Sequence, residues 1–180
     1  MLLDAEKSVL CVIDVQKRLA PAMADPDRTV AKSALLMTAA ARLDIPVLIS
    51  EQYPKGLGPT VDALTKIAPE GSIYPKIHFS CVDDPDYRAR LDALGRTQAV
   101  LTGMEAHVCV LQTALGARGA GYQVAVVADG VTSRDPANKT AALDRMAANG
   151  IEIATSEMVV FEWLKAAGSE AFRELSKLIK

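Results

Sequence analysis

The stretch LTGMEAHVCVLQTALGARG, residues 101–119, joins a β-rich run to a segment with the composition of a helix. Residues 97–103 (TQAVLTG) predict a strand, and Cys109 falls in the first turns of the helix that follows. A strand followed directly by a helix is the repeating unit of open α/β sheets. The stretch therefore indicates the fold class, and it leaves open whether Cys109 is a small packing residue or a nucleophile.

The same alternation continues on both sides of this unit. The predicted strands are 8–14, 45–50, 72–79, 97–103, 122–129 and 151–156. The predicted helices are 27–44, 58–69, 84–95, the one around Cys109, 134–150, and two amphipathic stretches at 157–168 and 169–180. We expect a single three-layer α/β/α domain over residues 1–180, with a mostly parallel, Rossmann-like six-stranded sheet and helices on both faces.

Bulk composition excludes several function classes. The 180 residues are 50% hydrophobic and carry a net charge of −2, with 20 basic and 22 acidic residues spread along the chain. Because there is no basic block, we expect neither nucleic acid nor a membrane as a partner. The first residues lack the pattern of a secretory signal, and the three cysteines have no metal-type spacing. These features predict a cytoplasmic protein with free thiols, no metal and no cofactor.

Three chemically capable side chains lie at or near the ends of predicted strands: Asp14 ends the first, Lys76 lies within the third, and Cys109 comes after the fourth. Ligands of open α/β sheets gather outside the carboxyl ends of the strands, so these positions are candidates for a site. Each has an ordinary alternative. Asp14 is also typical of a turn or helix cap, Lys76 of the surface, and Cys109 of the core.

Together the three residues would form a nucleophilic site. Asp14 would take the thiol proton, Cys109 would attack an electrophilic carbonyl carbon, and Lys76 would steady the acid. A helix start and a nearby cation both stabilise a thiolate. We therefore expect the sulfur of Cys109 to be ionised near neutral pH.

Several motifs resemble the isochorismatase-like superfamily of cysteine hydrolases. They are VIDVQ in the first strand, PK before Phe79 and Ser80, GMEAHVCVLQTA around Cys109, and VVADGVTSRDP in the fifth strand. The similarity covers nearly the whole chain. Within the superfamily, SEQYPKGLGPTV (50–61) is most similar to the small isochorismatase-domain proteins.

The resemblance implies Asp14 as base, Lys76 as supporting cation and Cys109 as nucleophile. It also implies a cis peptide between Met104 and Glu105, and an oxyanion hole formed by the N–H groups of Glu105 and Cys109. The expected reaction cleaves a small amide or related C–N bond through a thioester. Residues 50–58 lack the histidines of the nicotinamidase metal motif, and isochorismatases lack the cysteine, so neither nicotinamide nor isochorismate is expected.

Five further residues are candidates for a substrate pocket: Glu51, Gln52, Tyr53, Phe79 and His107. Glu51 and Gln52 either contact substrate or orient the loop after the second strand. Tyr53 and Phe79 are candidate apolar walls, with core packing an equal alternative for Phe79. His107 is bonded to the backbone at the helix start, in contact with substrate or paired with Cys109, and Glu105 either faces the pocket or caps the helix.

Two other function classes remain. The fold is compatible with a binding or oligomer-scaffold protein that has little turnover. A dinucleotide-dependent oxidoreductase fits the sheet, but the chain lacks the Gly-x-Gly-x-x-Gly fingerprint after the first strand. The apolar residues Val159, Val160, Phe161 and Trp163 near the end of the chain predict a homo-oligomer, a dimer or higher.

Overall fold

The computed structural model describes residues 1–179, which contain a six-stranded sheet. The strands are β1 (Ser8–Ile13), β2 (Val47–Gln52), β3 (Ile73–Lys76), β4 (Gln98–Met104), β5 (Gln123–Thr132) and β6 (Glu152–Ala154). Their order is β3-β2-β1-β4-β5-β6, and every neighbouring pair is parallel. The strand order reverses beside β1, between β1 and β4, which is where such sheets open a crevice.

Helices connect the strands and begin where the sequence supplies start residues. They are α1 (Pro26–Arg42), α2 (Pro54–Leu57), α3 (Asp62–Thr65), α4 (Pro85–Ala93), α5 (Leu111–Gly119), α6 (Pro136–Ala148), α7 (Ser156–Leu164) and α8 (Glu170–Leu175). Proline occupies the first turn of α1, α4 and α6, where its missing N–H costs nothing. In the described part of the chain, no helix combines the length and apolar character that crossing a membrane requires.

The two faces of the sheet bury different sets of side chains, because successive strand residues point to opposite faces. In β1, Leu10 and Val12 join the core beneath α1 and α7, whereas Val9, Cys11 and Ile13 join the core beneath α4, α5 and α6. All six β1 residues are buried, as expected of a strand covered on both sides. The predicted three-layer α/β fold is confirmed.

The predicted helix at 58–69 is wrong over its first residues. Only residues 62–65 are helical, and a single turn, α2, lies ahead of them. Residues 58–60 instead lie beside the loop after β1: Gln16 and Thr60 form an isolated antiparallel bridge, and the Lys17 amide donates to the Pro59 carbonyl at 2.9 Å. These contacts use backbone groups that a helix would need for itself.

The apolar residues near the end of the chain are mostly internal. Val159, Val160 and Trp163 are buried in the core, and the Trp163 indole donates to Ser8 Oγ at 3.0 Å. Phe161 is 43% exposed and packs beside Phe172. Three of the four residues therefore offer no apolar surface to a second copy of the chain, because α7 covers the sheet with them. The prediction of a homo-oligomer from their exposure is wrong for these three. The oligomer itself stays a prediction that light scattering tests.

Candidate active site

Three strands bring Asp14, Lys76 and Cys109 to one edge of the sheet. Asp14 directly follows β1, and Lys76 is the last residue of β3. Cys109 lies in a π-helical turn, Ala106–Val110, between β4 and α5. Because all the strands are parallel, their carboxyl ends share an edge, and residues 62 and 95 positions from Asp14 in sequence become its neighbours.

Asp14 and Lys76 form an ion pair with both side chains fully buried. Lys76 Nζ donates to Asp14 Oδ2 at 2.8 Å, to Gln52 Oε1 at 2.7 Å and to the Phe79 carbonyl at 3.3 Å. Burial has the largest single effect and lowers the pKa of Lys76, but the electrostatic effects of Asp14, Cys81 and Cys109 and the hydrogen bond to Asp14 together outweigh it, so the pKa lies above its usual value. The lysine therefore stays cationic, with all three of its hydrogen-bond donors used.

The thiol of Cys109 lies against this pair and is protonated. Only 6% of Cys109 is exposed. Burial, followed by the charge and hydrogen bonding of Asp14, raises the pKa of the thiol far above its ordinary value, while Lys76 opposes the shift. The expectation of an ionised sulfur at neutral pH is wrong, because the carboxylate and the loss of solvent outweigh the cation. The proton can leave the sulfur only if a base accepts it, and Asp14 is that neighbour.

The backbone just before Cys109 contains a cis peptide bond and, among the described residues, an amide without an acceptor. The peptide bond between Met104 and Glu105 is cis. The Glu105 carbonyl accepts from the amides of Val108 and Val110, and passes over that of Cys109 between them. Within residues 1–179 the Glu105 amide has no acceptor. The Glu105 carbonyl therefore does not bind the Cys109 amide, and the Glu105 amide precedes the turn that carries the sulfur.

The Glu105 side chain does not cap the helix. Its Oε2 accepts from Arg134 Nε at 3.0 Å and from the Arg134 amide at 3.3 Å, so it ties the turn to the loop after β5. His107 behaves in a similar way. Its Nδ1 lies 3.0 Å from Ser133 Oγ, so the expected bond to a backbone group is wrong and the partner is a side chain of the same loop.

Glu51 and Gln52 both hold loops rather than lie free. Glu51 Oε1 accepts from the Thr60 amide at 2.6 Å and from the Thr60 hydroxyl at 2.7 Å. Gln52 donates from Nε2 to the Ile77 carbonyl at 2.7 Å and accepts from Lys76. Of the two alternatives for this pair, orientation of the surrounding chain is the one with visible contacts.

Tyr53 and Phe79 lie at the rim of the site. Tyr53 is 52% exposed and Phe79 is 54% exposed, so Phe79 is not a core residue. Ile77, 67% exposed, lies between β3 and Phe79 in the chain. The Tyr53 amide donates to the Lys76 carbonyl at 2.9 Å, which fixes this residue beside the buried lysine. Exposed apolar side chains thus follow both β2 and β3.

Two buried residues of the site were missed from the sequence. Ser50 Oγ donates to Asp14 Oδ1 at 2.7 Å. Gln16 donates to the Gln52 and Gly58 carbonyls at 3.0 and 2.7 Å and accepts from the Gln52 amide at 2.8 Å. The sequence signal that could have identified them is a polar residue at the end of an apolar stretch: Gln16 ends VIDVQ, and Ser50 ends IPVLIS.

The two remaining cysteines are buried thiols. Burial raises the pKa of Cys11 to about 12 and that of Cys81 to about 11. The Cys81 amide donates to Thr113 Oγ1 at 2.9 Å. Thr113 lies in α5, four residues beyond Cys109, so Cys81 packs beside this helix. Among the residues the structure describes, no group of three His, Cys, Asp or Glu side chains gathers as a metal site.

Comparison with known proteins agrees with this geometry. The family model of the isochorismatase domain matches residues 8–158. The chain belongs to the isochorismatase family. The match runs from the start of β1 into α7, so it includes every strand of the sheet and all three residues of the candidate triad.

Individual members of the isochorismatase family match over almost the whole chain. Isochorismatase domain-containing protein 2A of Mus musculus is 38% identical over 97% of this chain and 84% of its own length. Isochorismatase domain-containing protein 1 of Danio rerio is 38% identical over 99% of this chain, which spans 62% of that relative. The solved MAR1 ribonuclease of Caenorhabditis elegans is 34% identical, with a TM-score of 0.93 over 99% of this chain and 92% of that one.

Proposed function

We propose that this isochorismatase-family chain is a cysteine hydrolase that cleaves a small amide or a related C–N bond through a thioester. The observation that carries the proposal is the fully buried Asp14–Lys76 ion pair, whose carboxylate acts on the thiol of Cys109. A buried ion pair contributes little net stability, so its presence beside a nucleophile favours a chemical role.

The first half of the reaction acylates the sulfur. Asp14 takes the proton of Cys109 as the sulfur attacks the carbonyl carbon of the substrate. The negative charge that forms on the carbonyl oxygen is held by the N–H groups of Glu105 and Cys109. The C–N bond then breaks, and the nitrogen leaves with the proton that Asp14 accepted.

The second half regenerates the enzyme. Asp14, again a carboxylate, takes a proton from water as the water oxygen attacks the thioester. The C–S bond breaks, the acid is released, and the proton returns to the sulfur. Lys76 keeps its positive charge throughout and lowers the cost of holding the Asp14 carboxylate away from water.

Tyr53 and Phe79 would line the entrance for the acyl group. Their exposed rings lie on the loops after β2 and β3, next to the residues that bond Lys76. An apolar rim around a buried polar triad favours a small substrate with one amide or related group and an apolar remainder.

Two alternatives compete with the amide hydrolase. One is a binding or oligomer-scaffold protein of the same fold with little turnover. The other is cleavage of RNA, the activity in the name of the C. elegans relative. A ribonuclease needs cations that reach phosphate, whereas Lys76 is buried and fully bonded and the chain carries a net charge of −2.

Ammonia release from a library of small primary amides and nitriles tests the proposal. We expect turnover by the parent chain and none by Cys109→Ala, with an acyl adduct at Cys109 in the intact-protein mass spectrum during turnover. Cys11→Ala is the matched control, since that buried thiol lies inside β1, forms no hydrogen bond to Asp14, Lys76 or Cys109 among the described residues, and should leave turnover intact. A single-stranded RNA that is cut by the parent but not by Cys109→Ala, with no amide hydrolysed, would refute the assignment.

A further inference from the structure

The second strand holds both charged members of the triad from one of its faces. Ser50 and Gln52 are alternate residues of β2, so their side chains point to the same side of the sheet. Ser50 lies in register with Ile13, next to Asp14, and Gln52 lies in register with Lys76. Neither residue stands out in the sequence as part of a catalytic motif.

Ser50 binds Asp14 at two points. The Asp14 amide donates to the Ser50 carbonyl at 3.1 Å, and Ser50 Oγ donates back to Asp14 Oδ1 at 2.7 Å. Lys76 occupies Oδ2, so each carboxylate oxygen has its own donor. This arrangement fixes the plane of the carboxylate, and it leaves lone pairs on both oxygens for the proton of Cys109.

Gln52 performs the matching task for Lys76. Its amide group cannot turn over, because Nε2 donates to the Ile77 carbonyl while the Gln52 backbone amide is held by Gln16. Oε1 therefore faces Lys76 Nζ at 2.7 Å. The other two acceptors of the ammonium are the Phe79 carbonyl and Asp14. Of the three acceptors, only Asp14 carries a full negative charge.

We propose that Ser50 and Gln52 are positioning residues of the triad: Ser50 orients the Asp14 carboxylate, and Gln52 aims the Lys76 ammonium at it. The inference rests on the proposed cysteine-hydrolase function and adds to it two residues that touch no substrate. Gln52 is thereby assigned to the catalytic pair and not to the pocket.

The test follows the reactivity of Cys109 towards iodoacetamide as a function of pH, with the modified cysteine identified by peptide mass mapping. This readout needs no substrate. We expect Ser50→Ala to lower the rate of Cys109 alkylation roughly tenfold at every pH, because the carboxylate that accepts the thiol proton has lost one of the two donors that orient it. Ser50→Thr, which retains a hydroxyl, should restore the parent profile.

Ser72→Ala is the matched control. Ser72 is also a buried serine next to β2, but its hydroxyl donates to the Pro69 carbonyl at 2.7 Å, away from the triad. Its profile should coincide with that of the parent. An unchanged alkylation rate in Ser50→Ala, or an equal loss of rate in Ser72→Ala, would overturn the role of Ser50. Thermal unfolding midpoints identify any variant that has lost its fold.

Gln52→Leu separates positioning from substrate contact. A positioning role predicts a roughly tenfold lower rate of Cys109 alkylation and a lower kcat on any amide that is turned over, with KM unchanged. An increase in KM alone, with normal alkylation, would return Gln52 to the pocket and contradict the inference. Should no amide be hydrolysed, the function fails while the alkylation profiles still decide the roles of Ser50 and Gln52.

Discussion

The carboxylate of Asp14 acts on Cys109 in two opposite ways. Its charge disfavours the thiolate, and its lone pairs accept the proton that the reaction must remove. In the proposed mechanism, a base that raises the pKa of its own nucleophile would keep the sulfur neutral until a substrate arrives. This protects the thiol from reactions that require a standing thiolate, such as oxidation.

Replacement of Asp14 by asparagine should separate these two effects. We expect Asp14→Asn to lower the pKa of the Cys109 thiol, because removing a nearby negative charge favours the thiolate and the effect of Asp14 exceeds that of Lys76. The same variant should lose amide turnover, since asparagine accepts no proton. Ultraviolet absorbance of the thiolate against pH, with Asp14→Asn/Cys109→Ser as the blank, measures the shift. A thiol that titrates at higher pH than in the parent would contradict this account.

Lys76 contributes to the stability of the fold because it neutralises the buried Asp14 carboxylate. Lys76→Met leaves the Asp14 carboxylate buried without its cation, which typically costs roughly 3–5 kcal/mol. Adding Asp14→Asn removes the stranded charge, so the double variant should be more stable than Lys76→Met alone. Urea unfolding of the four members of this double-mutant cycle provides the measurement. Strict additivity of the two losses would show that the pair is not coupled.

At the scale of the elements, the sequence predicts where the strands are better than it predicts which strands and loops lie side by side. Asp14 ends a predicted strand, Lys76 lies within one and Cys109 follows one, so their place near the carboxyl edge of the sheet can be predicted from the sequence alone. The bond from Ser50 to Asp14 cannot be predicted in this way, because it depends on β2 lying beside β1. The non-helical course of residues 58–60 could not be predicted either, since it depends on Gln16 and Glu51, which contact Thr60 from distant positions in the chain.

Gly103 allows β4 to pass close to β1 at the point where Asp14 is delivered. Its φ is +125°, and a Cβ built there would lie 2.0 Å from the Ile13 carbonyl oxygen. Backbone cannot yield as a flexible side chain does, so Gly103→Ala should cost several kcal/mol or prevent folding. Gly119→Ala is the control, because a Cβ there meets nothing within 4 Å. Soluble yield and thermal midpoint compare the two, and a Gly103→Ala protein with the parent midpoint would disprove the close approach.

At the scale of the whole molecule, buried thiols tie the stability of the fold to pH. The pKa of Cys11 is raised from 9.0 to about 12 and that of Cys81 from 9.0 to about 11, in both cases chiefly by burial. The folded chain keeps these protons at pH values where the unfolded chain has lost them. The stabilisation is therefore complete below about pH 9 and is lost as the pH rises towards the folded pKa values.

Removal of one thiol should flatten this alkaline loss. For each buried thiol we expect the free energy of unfolding to fall by up to ~1.4 kcal/mol per pH unit above the ordinary cysteine pKa. Cys11→Ala is less stable than the parent at neutral pH, because a buried side chain is shortened. The gap between the two proteins should then narrow from pH 9 to pH 12, as the parent alone loses the contribution of Cys11. Urea unfolding at a series of pH values measures the gap, and a gap that stays constant would show that Cys11 takes no part in the alkaline transition.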